Sequence, residues 1–173
     1  MASGFPPPAV REMAFEVSAL LKERSETVCV AETAAGGLIS ASLLSTPGAS
    51  KIYKGGLTLY TLESRIAFAG WTQDHLKSYK GPTEDVVKGL AENVRGTLSA
   101  TYCVCESGTA GPTGGNTRNR TPGYVALAVA TEKATSMKEV ETGLGGDREG
   151  NMVAFAVEGL KLLRDVIKGN AKL

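Results

Sequence analysis

Behind a run of prolines, Val10, Met13, Ala14, Val17, Leu20 and Leu21 recur at intervals of three and four residues, the spacing of an amphipathic helix over residues 9–23. Residues 27–31 form a short apolar run bounded by charge, which reads as a strand. Gly36-Gly37 then opens a second helical pattern through Leu38, Ile39, Ala41, Leu43 and Leu44, ended by Pro47-Gly48. Residues 56–60 predict another strand and 62–68 a helical segment, while 71–80 fits neither pattern. Thr83 is placed as an N-cap, with Glu84 and Asp85 in the first turn and Val86, Val87, Leu90, Ala91, Val94 and Leu98 on one face.

The second half reads as strand, long loop and strand: residues 102–105, then 107–123, dense in Gly, Pro, Thr and Asn, then the apolar run 124–130. Residues 138–142 suit an edge strand, and 147–168 a closing helix marked by Val153, Ala156, Val157, Leu160, Leu163 and Ile167. Helices before, between and after the strands predict an α/β fold, a single-domain sheet covered by helices. The connection ending near Gly123 contains no crossover helix, so the sheet is expected to be mixed rather than purely parallel.

Composition narrows this picture. With 173 residues, 42% of them hydrophobic, the chain can bury one core, and one domain over residues 1–173 is expected, with 1–8 a flexible N-terminus. Nineteen basic and eighteen acidic side chains leave a net charge of +1, too weak a field to gather phosphate backbones or anionic lipid. Neither a nucleic acid nor a membrane partner is expected. The first residues lack the charged and apolar regions of a secretory signal, so a cytoplasmic protein is expected. Cys29, Cys103 and Cys105 are odd in number and lie in apolar strand-like runs, as reduced core residues do. With His75 the only histidine, no metal site and no cofactor is expected.

Two glycine-rich turns are the candidates for chemistry. Glu32 to Gly37 lies between a strand and a helix, where backbone N–H groups and the helix dipole can face a phosphate or oxyanion. Two glycines there equally suit tight packing, and the segment is neither a Walker loop nor GxGxxG. The second, around Ser107, Gly108, Thr109, Ala110, Gly111, Gly114 and Gly115, is long enough to be either functional or disordered, with 116–120 the segment most suited to mobility. His75 sits in a polar stretch and reads as a surface residue rather than a triad base. Any hydrolysis would therefore need a Ser or Thr activated by lysine or another base.

Taken in order, Glu32 to Gly37, Pro47-Gly48-Ala49-Ser50, Gly55-Gly56, Tyr60, Ser107 to Pro112, Gly114-Gly115 and Gly146-Asp147-Arg148 resemble the CinA C-terminal domain, from about Val10 to Leu163. That family includes the bacterial nicotinamide mononucleotide amidases. The resemblance implies an α/β fold, a homodimer, and a metal-free, serine-lysine type hydrolysis of a nucleotide carboxamide to the acid and ammonia. It also implies a nucleotide pocket around Glu32, Gly36, Gly37, residues 107–115 and Arg148. For Arg148 a surface ion pair is the alternative, and for Tyr60 a core or dimer contact.

Two positions depart from the family pattern. Thr33 stands where the family has its serine nucleophile, and Arg65 where, a few residues after Tyr60, it has a lysine base. Lysine can give up its proton when desolvated, whereas arginine stays charged and cannot act as an ordinary base. The catalytic positions Thr33, Tyr60 and Arg65 are thus altered. The expectation is a divergent or inactive homologue that binds a nucleotide or small anion, with deamidation of nicotinamide mononucleotide by Thr33 as the alternative.

Overall fold

The computed structural model describes residues 4–171. The first helix, α1 (Pro8–Arg24), starts at a proline, where the missing N–H costs nothing, and closes on Ser25, whose N–H bonds the Lys22 carbonyl. Of the N-terminal stretch expected to be flexible, residues 1–3 lie outside the described residues. Beyond them, the Arg11 guanidinium donates to the carbonyls of Phe5 and Pro6.

Five strands follow: β1 (Val28–Glu32), β2 (Tyr53–Thr58), β3 (Tyr102–Gly108), β4 (Tyr124–Ala130) and β5 (Thr135–Glu141). They form one mixed sheet in the order β2-β1-β3-β4-β5. β1 is parallel to β2 and β3, while β4 is antiparallel to both β3 and β5. The antiparallel step falls at the connection without a crossover helix, as the sequence implied. Between the strands lie α2 (Leu38–Leu44), α3 (Leu62–Phe68), α4 (Gln73–Ser78), α5 (Glu84–Leu98) and, last, α6 (Arg148–Ile167).

Strand alternation divides the core into two layers. Val28, Val30, Val104 and Leu127 face α1, α2 and α6, while Cys29, Ala31, Cys103, Cys105, Ala126 and Ala128 face α5 and the segment around Trp71. All three cysteines are buried and free, and burial pushes the Cys103 and Cys105 thiols up. They are core packing residues.

Where boundaries differ from expectation, the cause is tertiary. β2 begins at Tyr53 rather than 56, because as an edge strand it is held by pairing to β1 (Cys29 with Gly55, Val30 with Gly56) rather than by apolarity. β3 runs through the polar residues Glu106 and Ser107 to Gly108, since β4 pairs them on one side. β5 starts at Thr135, opposite Ala130. The undecided stretch contains α4, whose exposed His75 accepts the Thr72 N–H on Nδ1 at 3.0 Å. The long loop is packed rather than disordered. It holds a 3-10 turn at Arg118–Arg120, the Thr109 hydroxyl donates to the Asn119 carbonyl, and Arg118 pairs with Glu139 and Glu141 on β5.

Candidate functional site

The carboxyl ends of the parallel strands β1, β2 and β3 open at one edge of the sheet, the place where α/β sheets generally bind ligands. Glu32 closes β1 there and is fully buried. One carboxylate oxygen accepts the N–H groups of Gly37 (3.1 Å) and Ile39 (2.9 Å), and the other accepts the N–H and the hydroxyl of Ser40 (2.8 Å each). Burial pushes this carboxyl up while the four donors pull it down, with a net rise. Gly36 and Gly37 carry φ of +69° and +97°, backbone that favours glycine. The sequence suggested that this turn offers its amides to an anion. The amides of Gly37, Ile39 and Ser40 are instead taken by Glu32, a side chain five residues upstream that acts as a built-in anion for the helix end.

A second buried carboxylate, which the sequence reading did not single out, supports the same turn. Glu106 lies on β3, beside β1, and its Oε2 accepts the N–H groups of Thr33 (3.1 Å) and Ala35 (2.8 Å). Its Oε1 is buried with no partner. Burial pushes the Glu106 carboxyl up to about 7, against the pull of the Ala35 amide, and the nearby Glu32 charge adds to the rise. The available signal was an acid at the end of the apolar run Tyr102-Cys103-Val104-Cys105.

Thr33 is buried and donates its hydroxyl proton to the Ser107 Oγ at 3.2 Å, so the two hydroxyls do meet. Arg65 is buried too. Its Nε donates to the Leu59 carbonyl at 3.2 Å, and its guanidinium lies 5.0 Å from the Trp71 ring centre and 5.1 Å from that of Tyr79. Its Nη1 is buried without an acceptor. Tyr60 is 59% exposed, outside the core, and its hydroxyl accepts from Arg148 Nη2 at 3.2 Å. The other Arg148 nitrogen, Nη1, donates to the Gly111 carbonyl at 2.7 Å, so Arg148 joins Tyr60 to the glycine loop instead of forming a surface ion pair.

The loop is shaped by what surrounds it. A side chain at Gly108 would meet the Phe155 ring and the Tyr124 carbonyl at 2.7 Å, so only glycine fits there. Asn151 of α6, fully buried, donates to the carbonyls of Ala110 (2.9 Å) and Gly145 (2.8 Å), a tie that no sequence pattern announced. Together these elements enclose a hollow of about 170 Å³ lined by Ala34, Tyr60, Gly108, Thr109, Ala110, Gly111, Thr113 and Arg148. Thr33, Arg65, Glu32, Gly36, Gly37 and Ser107 are not in that lining, and Gly114 borders a neighbouring hollow. Gly115 bonds inward, from its N–H to the Arg120 carbonyl. Among the described residues no group of three or more His, Cys, Asp or Glu side chains could hold a metal, and no helix is long and apolar enough to cross a membrane.

Fold and site together define an α/β domain with a small basic hollow, walled by a glycine loop, at the carboxyl ends of parallel strands. The chain belongs to the CinA C-terminal domain family, whose model matches residues 10–167. A CinA-like protein of Thermotoga maritima is 32% identical over 154 residues, covering 89% of this chain and 37% of that protein. Another, from Acidobacterium capsulatum, is 35% identical over 144 residues, covering 83% and 34%. The chain thus spans roughly a third of the length of these relatives. The crystal structure of the competence/damage inducible protein CihA from Agrobacterium tumefaciens superposes with a TM-score of 0.85 at 23% identity, over 94% of this chain and 97% of that one. A CinA superfamily protein from Klebsiella pneumoniae gives 0.84 at 19%, over 92% and 98%. At these identities the structures share the fold.

Proposed function

We propose that this protein is a divergent member of its family that binds a nucleotide or a related small anion in the Arg148 hollow without turning it over. The observation that carries this reading is the setting of Arg65. At the position where the resemblance calls for a lysine base stands a permanent cation, tied to the Leu59 carbonyl and packed beside two aromatic rings. Thr33, at the nucleophile's position, already donates its proton to Ser107. Arg148 and the loop supply positive charge and close backbone approach, which suit binding of an anion.

Purified protein incubated with nicotinamide mononucleotide is expected to release no ammonia above a protein-free control, while calorimetry detects nucleotide binding. Ammonia release that Thr33→Ala abolishes would overturn the reading. The double variant Thr33→Ser, Arg65→Lys is expected to gain ammonia release, because it restores both the smaller nucleophile and a group that can lose a proton. A folded double variant that binds the nucleotide and stays inert would show that more than the dyad has diverged.

One observation favours the alternative, deamidation with Thr33 as nucleophile. Glu106 bonds the Thr33 amide, keeps one oxygen without a partner and sits at about 7, the range suited to a general base. On that reading Glu106→Gln abolishes ammonia release while nucleotide binding remains.

A further inference from the structure

A cavity of about 520 Å³ lies outside the Arg148 hollow, between α4 and α5. Trp71 and Tyr79 form an aromatic wall, with ring centres 5.6 Å apart and planes at 63°, and His75 stacks on Trp71 at 5.5 Å. Thr83 and Asn93 add hydrogen-bonding groups to the lining. The size and the mix of aromatic surface with a few polar groups are those of a small-molecule site. Gly89, in the interior of α5, also lines it, and a Cβ there would meet nothing within 4 Å. A glycine weakens a helix interior, and here it leaves the helix wall bare where the cavity needs room.

The cavity adjoins the site already described through shared lining residues. An intermediate hollow of about 280 Å³ shares Tyr79 and Gly81 with it, and shares Gly108, Thr109 and Thr113 with the Arg148 hollow. Arg120 borders this middle section, so the groove is aromatic at one end and basic from its middle to the other.

We propose that the cavity between α4 and α5 takes a neutral planar heteroaromatic ring, the base end of a nucleotide whose phosphate end occupies the Arg148 hollow. This rests on the binding reading above and extends it. The ring is neutral because of what stands behind the aromatic wall. The Arg65 guanidinium lies against both Trp71 and Tyr79, its Nη1 has no acceptor, and Lys80 borders the same cavity. A cationic ring meets that field as a like charge, against which the acidic lining residue Asp85 is exposed at the start of α5. A neutral base packs against the Tyr79 and His75 rings, His75 itself covering one face of the buried Trp71, and can offer acceptor edges to the cavity's donors.

Trp71 is the only tryptophan in the chain, so its fluorescence reports directly on this cavity. Wild-type protein is titrated with adenosine 5′-monophosphate, adenosine, ribose 5-phosphate and the cationic nicotinamide riboside, with calorimetry in parallel. The first two are expected to change Trp71 emission, and ribose 5-phosphate to bind without changing it. Gly89→Leu, whose Cβ meets nothing within 4 Å and whose longer side chain would take up cavity space, is expected to weaken adenosine and its monophosphate at least about tenfold, the scale of one lost stacking contact. It should leave ribose 5-phosphate unchanged, and Gly89→Ala, which leaves most of the space, should bind as wild type. Arg148→Ala should weaken both phosphates and spare adenosine. Nucleotide binding seen by calorimetry with silent Trp71 emission and no effect of Gly89→Leu would overturn the ring site and leave the binding reading standing. Nicotinamide riboside binding as tightly as adenosine would overturn the neutral assignment. No binding of any of the four would overturn both.

Discussion

Glu32→Ala is expected to lower the stability of the folded chain by about 4 kcal/mol, or about 10 °C in the melting midpoint, because three amides lose their acceptor at once. The Glu32 carboxylate takes the N–H groups of Gly37, Ile39 and Ser40 and the Ser40 hydroxyl in a fully buried position. α2 has seven residues, too few to persist without such an anchor. Truncation leaves the Gly37, Ile39 and Ser40 amides without their acceptor, at about 1–3 kcal/mol for each buried donor, offset by whatever water enters. Glu32→Gln keeps one acceptor but turns an NH2 group toward amide donors, and should cost about half as much. Thermal unfolding followed by circular dichroism checks both, and a Glu32→Ala midpoint within a degree or two of wild type would show that α2 is held by packing alone. The site should suffer with the helix, since the same turn carries Ala34 into the hollow.

The role of Glu32 marks the limit of what the chain's pattern reveals. α5 was legible because its information is local: Thr83 accepts the Val86 N–H, acids occupy the first turn, and Val87, Leu90, Ala91 and Val94 are buried on one face. β4 was legible because seven apolar residues in a row suit a strand covered on both sides. The mixed sheet followed from the missing crossover helix. The polar end of β3 was not legible, because pairing with β4 rather than side-chain character carries the strand through Glu106 and Ser107.

At the site, the sequence located the segments better than the roles. Tyr60, Gly108, Thr109, Ala110, Gly111 and Arg148 converge on one hollow, although Tyr60 and Arg148 are 88 positions apart. The Gly36-Gly37 turn has the backbone of an anion site, but a carboxylate already resides there. Whether a helix end is free depends on which side chain folds back over it, and that is set by three-dimensional proximity. The Arg65 setting is equally non-local, since Trp71 and Tyr79 reach it from the loops flanking α4.

Glu106→Gln is expected to raise the melting midpoint at pH 8 and to flatten the fall in stability between about pH 5 and 8. Glu106 and Glu32 are both buried carboxylates on neighbouring strands, but each Glu32 oxygen accepts hydrogen bonds, whereas Glu106 Oε2 accepts from Thr33 and Ala35 and Oε1 is unpartnered. Its carboxyl is raised from 4.5 to about 7, chiefly by burial. A group that holds its proton more tightly when folded favours the folded state below its unfolded value, and that advantage is lost as pH rises through the folded value. Wild-type stability should therefore fall from about pH 4.5 and level off above about pH 8, by up to about 3 kcal/mol in all. Glutamine retains a carbonyl oxygen for the Thr33 and Ala35 amides and never acquires the charge, so the variant should escape most of that fall. Glu32, also raised by burial, titrates in the same direction. Melting curves for both proteins across pH 5 to 8 make the comparison, and parallel curves would mean that the Glu106 charge is solvated in a way that its amide donors and buried Oε1 do not provide. Because those donors flank Ala34, the same titration should bear on ligand binding. Ionised Glu106 adds a negative charge close to an anion site, so nucleotide affinity relative to Glu106→Gln, a comparison in which the phosphate's own ionisation cancels, should weaken in wild type toward pH 8.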